Sequence, residues 1–63
     1  MVKDRDGIIL RRGDWVRILS GKYEGYIGQV VGFPTRLSVL VRIPMLRKRV
    51  KIAGKRVEFL RSG

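Results

Sequence analysis

Cysteine and histidine are both absent from the 63 residues. Their absence removes disulfide frameworks, thiolate nucleophiles, Cys/His zinc sites and imidazole acid/base chemistry together. Asparagine is missing too, glutamine occurs once, and no apolar run approaches the roughly 20 residues of a membrane span. No secretory signal precedes the first charges, so the expected location is cytoplasmic. Carboxylates are few. Asp4, Asp6, Asp14, Glu24 and Glu58 are scattered among cations, no two are placed for acid/base work, and no phosphate-loop or metal-ligand pattern occurs. The expectation is a protein that is not an enzyme and carries no cofactor or metal.

What the chain does hold is positive charge: fifteen Lys and Arg against five acids, a net charge of +10. Such an excess makes a polyanion the first partner to consider. Ten of the cations are Arg, whose planar fork suits bidentate phosphate contacts. The same composition also fits a heat-adapted surface. A membrane surface is a poorer match, because it needs a basic amphipathic helix and the apolar residues here recur with period two, interrupted by glycine.

The length allows one domain with a small core. Residues 1–12 read as an extended N-terminal arm, closed by the turn signal Arg11-Arg12-Gly13-Asp14. From residue 13 to residue 63 the pattern is a succession of short strands. Val16 and Ile18 face inward with Trp15 and Arg17 outward. Residues 20–26 form a glycine loop, and residues 27–33 a second strand with Val30 and Phe33 inward. Pro34-Thr35-Arg36 turns the chain. Leu37, Val39, Val41 and Ile43 then alternate with Ser38, Leu40 and Arg42 up to Pro44. Arg47 to Arg49 pass through a turn, Val50 and Ile52 give a fourth strand, residues 53–56 a tight or single helical turn, and Val57 with Phe59 a fifth strand. Five strands this short leave an open sheet with two weak edges, so the predicted fold is all-β, a small bent barrel.

The glycines support that reading, since a tight barrel needs sharp turns and close backbone crossings, with Gly28 at an inward crossing. The run Gly13-Asp14-x-Val16-x-Ile18-x-x-Gly21-x-x-x-Gly25-x-x-Gly28-x-Val30-x-x-Phe33 resembles the KOW motif, found in large-subunit ribosomal proteins and in the C-terminal domain of NusG-type transcription elongation factors. The resemblance implies a five-stranded SH3-like barrel and a partner that is RNA, DNA or protein. The chain as read has neither the polymerase-binding domain of the NusG type nor long ribosomal tails, so the expectation is a free-standing KOW-domain protein.

Candidate contact residues follow from charge and placement. Lys22 and Tyr23 sit at the tip of the first loop, the part that ribosomal relatives present to RNA. A cation beside an aromatic there joins phosphate attraction to base stacking. Arg47, Lys48, Arg49, Lys51, Lys55 and Arg56 concentrate charge late in the chain, a density that repels itself unless an anion is near. Trp15, Arg17 and Arg42 point outward by alternation. Trp15 either stacks a base or is covered by Ile8 or Leu10 of the arm, and the covered state is the favoured expectation. Tyr26 reads as a packing residue, and the integrin-type tripeptide Arg12-Gly13-Asp14 as a turn.

The leading expectation is a monomeric nucleic-acid-binding protein that prefers RNA or a ribonucleoprotein of the ribosome or transcription machinery to DNA. The alternatives are a small basic DNA-binding chromatin-type protein, and a protein-interaction module built on Trp15, Val31 and Leu40.

Overall fold

The computed structural model describes residues 1–61. Alternation decides the first strand: in β1 (Trp15–Ile18) Val16 and Ile18 are fully buried while Trp15 and Arg17 face solvent. β2 (Ile27–Thr35), β3 (Ser38–Ile43), β4 (Lys48–Ala53) and β5 (Val57–Phe59) follow, with 3₁₀ turns at Pro44–Leu46 and Gly54–Arg56. All pairings are antiparallel and the sheet order is β4-β3-β2-β1-β5. The sheet coils into a small SH3-like barrel around one core that includes Val16, Ile18, Val30, Val39, Val41, Ile43, Val50, Ile52 and Val57. No helix among the described residues is long and apolar enough to cross a membrane.

Three expectations at the β2–β3 hairpin need correction. Register shifts between Val30 and Gly32 and between Gly32 and Thr35 break the parity of β2. Phe33, expected inward together with Val30, is 40% exposed: the two are three positions apart, and plain alternation already puts them on opposite faces. Pro34 and Thr35 belong to the strand, and the turn is Arg36-Leu37, with Thr35 opposite Ser38. Leu37 thus projects from a turn at 79% exposure, while Ser38 is buried with its Oγ 2.6 Å from Thr35 Oγ1. On the far hairpin only Arg47 lies in the turn, in the left-handed region at φ 51° with its N–H donating to Pro44 O at 3.1 Å. Lys48 and Arg49 already begin β4.

The arm is anchored. Lys3 bridges Ile9, Leu10 N donates to Val2 O at 2.8 Å, and both Val2 and Leu10 enter the core. Asp4, read from sequence as one of the scattered carboxylates, is 4% exposed. Its Oδ1 accepts from the N–H groups of Asp6 and Ile8, and its Oδ2 from that of Phe59, all at 2.8 Å. Arg5 N donates to Val57 O at 3.0 Å, so the arm supplies partners along the outer edge of β5 and protects it from pairing with other chains. Gly54 lets the arm close in, for a Cβ there would collide with Lys3 O and stand 2.6 Å from Val2 Cγ1.

Candidate nucleic-acid interface

The register of the sheet lines up one row of outward residues. Trp15 on β1 is opposite Gln29 on β2, Gln29 is opposite Arg42 on β3, and Arg42 is opposite Arg49 on β4. At the usual strand spacing this row spans about 14 Å. Trp15 stays 42% exposed. The favoured expectation that the arm covers it does not hold, because Leu10 has gone into the core instead. Gln29, which sequence reasoning passed over, is fixed in the middle of the row by a 3.0 Å bond from Nε2 to Gly13 O. Its outward parity on β2 was the available signal.

Arg42 and Arg49 stand directly across from each other, an arrangement of like charges that destabilises a sheet. No acid relieves it: the ion pairs among the described residues involve only Arg5 and Arg17 as cations, with Asp6 and Glu58 as their partners. Lys51, one position over on β4, faces outward opposite Leu40, and Val31 and Leu40 are half-buried beside this face. Arg17 lies on the same side but shares Glu58, at 3.4 Å, with Arg5 at 3.0 Å.

Next to Arg49 in β4, Lys48 reaches the β1–β2 loop. This residue has the inward parity of Val50 and Ile52, but it sits at the mouth of the barrel, where the inward direction leads to Tyr23. Tyr23 and Tyr26 both pack against the core, as expected for Tyr26. The Lys48 Nζ is 5.4 Å and the Lys22 Nζ 5.6 Å from the centre of the Tyr23 ring, within cation–π range. The Tyr23 phenol is held below its ordinary pKa. Hydrogen bonding from Lys48 is the largest cause, and the charges of Lys22 and Lys48 add to it against the opposing effect of desolvation. Tyr23 therefore gathers two ammonium groups at one spot, beside the exposed Arg47.

The loop that carries Tyr23 is closed by its own backbone: Gly25 N donates to Ile18 O at 2.8 Å and Tyr26 N to Tyr23 O at 3.1 Å. Arg56 braces it from outside, donating from Nε to Ser20 Oγ at 3.1 Å and from Nη2 to Ser20 O at 2.8 Å. The guanidinium occupies the space that a Gly21 side chain would fill. The structure thus gives Arg56 a bracing role in the fold, and places Lys55 elsewhere, beside Arg36 and Leu37. It brings Lys22 and Lys48 together on Tyr23, and sets Arg42 and Arg49 in one row with Gln29 and Trp15.

Chemically, this surface offers cations at fixed spacing and one exposed indole, which suits phosphates alternating with a stacked base. A search of curated proteins finds no match to the chain. A family model for the KOW motif matches residues 12–42, which run from the turn before β1 almost to the end of β3 and include Trp15, Lys22, Tyr23 and Arg42. The motif's glycines and apolar positions form the loop and strands just described, and residues 12–42 of the chain carry the KOW motif.

Proposed function

We propose that this protein binds single-stranded RNA, within a ribosomal or transcriptional ribonucleoprotein, and that it does so as a binding domain without catalytic chemistry. KOW motifs are typical of RNA-binding ribosomal and transcription-factor proteins. The observation that carries the reading is the Arg42–Arg49 pair: two guanidinium groups in direct register, without an acidic partner among the described residues, in one row with an exposed Trp15. Self-repulsion of this kind is relieved by a bound phosphate. Arg49 and Arg42 would take phosphates, Trp15 would stack a base, and the Lys22 and Lys48 ammonium groups held at Tyr23 would meet the next stretch of backbone. The described residues offer no helix longer than a 3₁₀ turn to enter a duplex groove, which supports single strands over duplex.

The test is a titration of backbone amide resonances with a single-stranded RNA oligonucleotide at low salt. Shifts should gather at Trp15, Lys22, Tyr23, Arg42 and residues 47–49. Absence of shifts, or shifts confined to the arm, would refute the reading, and stronger binding of duplex DNA would transfer the role to a chromatin-type protein.

A further inference from the structure

Apart from the cationic row, two adjoining grooves open where the arm meets the β2–β3 turn, one of about 330 Å³ and one of about 440 Å³. Val2 lines both grooves and Leu10 the first, and Met1, Phe33 and Leu37 stand around them. Met1 is 92% exposed, and with Leu37 and Phe33 it leaves three large apolar side chains in solvent at one site. Leu37 gives the core no buried surface, for it stands 79% exposed in the turn.

The charged residues around these seats are three cations and one carboxylate. Lys3, Arg36 and Lys55 line the grooves, and none of them is ion-paired among the described residues. The acid at the site, Asp4, has its oxygens turned to the backbone N–H groups of Asp6, Ile8 and Phe59. The site combines apolar seats with unpaired cations.

We infer that these grooves form a second interaction surface, and that its partner is an extended acidic peptide segment carrying aliphatic or aromatic side chains. The apolar residues of the segment fill the seats between Val2, Leu10, Phe33 and Leu37, while its carboxylates meet Lys3, Arg36 and Lys55. The apolar part of the lining is aliphatic apart from Phe33 and gives nucleobases little to stack on, and its concave form suits a narrow chain better than a flat bilayer. The inference stands apart from the RNA reading: a domain with both surfaces would tether an acidic protein segment to RNA, but either surface could be present alone.

The experiment is selection of short random peptides displayed on phage against the whole protein, followed by affinity measurements on the selected peptides. Peptides rich in Asp and Glu with interspersed apolar residues should emerge. Their affinity should fall by about tenfold or more in Leu37→Ser and in the double variant Arg36→Glu, Lys55→Glu. It should stay unchanged in Arg42→Gln, Arg49→Gln, which alters only the proposed RNA face. All these positions are exposed, and a melting curve for each variant confirms that the fold is kept. No enrichment, peptides without acids, or binding that ignores the groove variants would overturn the inference. So would displacement of the peptide by single-stranded RNA in the Arg42, Arg49 variant, or binding to anionic phospholipid vesicles that is lost in Leu37→Ser.

Discussion

The ammonium of Lys48, at the start of β4, lies 5.4 Å from the centre of the Tyr23 ring in the β1–β2 loop. This contact joins the β1–β2 loop to β4 and sets cations from two hairpins on one ring. It gives the Tyr23 ring two ammonium neighbours, Lys22 and Lys48.

The lowered phenol pKa makes that contact measurable. In a Tyr26→Phe background, alkaline titration of phenol absorbance should place Tyr23 below its ordinary value of 10.0, and Lys48→Gln should move it upward. The sign follows from linkage: a folded-state value below the unfolded one adds stability above the unfolded value and loses it as pH falls through the folded one. The pair therefore adds titration-linked stability only in alkaline solution, and none at neutral pH. An unchanged titration in Lys48→Gln would show that Lys48 is not the cause.

Asp4→Ala leaves the N–H groups of Asp6, Ile8 and Phe59 without their acceptor. The expected cost is about 2–3 kcal/mol. For a domain of this size that lowers Tm by roughly 10–20 °C. A melting curve within a few degrees of the parent would mean that the arm is not fastened through this carboxylate.

Gly28 and Gly32 offer a contrast within one strand. A Cβ at Gly28 would run into Val41 Cγ1 and stand 2.7 Å from Arg42 O, whereas at Gly32 its nearest neighbour would be Leu40 Cβ at an ordinary 3.7 Å. Gly28→Ala should cost about 1–3 kcal/mol by overpacking. Gly32→Ala should stay within about 0.5 kcal/mol of the parent. Chemical denaturation of the two variants decides it, and equal stabilities would contradict the crossing described here.

Trp15, the single tryptophan, reports on the row directly. Single-stranded RNA should quench its fluorescence, and Trp15→Ala should weaken single-strand binding by about 1–3 kcal/mol for each stacked base. Binding without quenching would place the RNA elsewhere.

Much of the barrel was legible because alternation is a local property. Val16 and Ile18 in β1, Val39, Val41 and Ile43 in β3, and Val57 in β5 are buried as their parity predicts. Parity fails where the ladder slips. Register shifts flank Gly32, β2 runs on through Pro34 to Thr35 and the turn falls at Arg36-Leu37, and nothing in the period-two pattern announces such shifts. Long-range anchoring was equally hidden: Asp4 reaches Phe59 and Arg56 reaches Ser20 across most of the chain. Of the site, the outward positions of Trp15, Arg17 and Arg42 could be read from alternation. Only the strand register shows that Arg42 faces Arg49, and only tertiary packing brings Lys48 to Tyr23.

The most direct measurement of the central claim is the salt dependence of binding to single-stranded RNA, for the parent and for a triple variant with Arg42, Lys48 and Arg49 replaced by Gln. Each phosphate neutralised on a single strand adds about 0.7 to the magnitude of the slope of log K against log salt. Loss of three contacts should therefore shallow the slope by about 2 and weaken binding to all RNA sequences alike. A parent that fails to bind at low salt, or a triple variant with the parent's slope, would contradict the account.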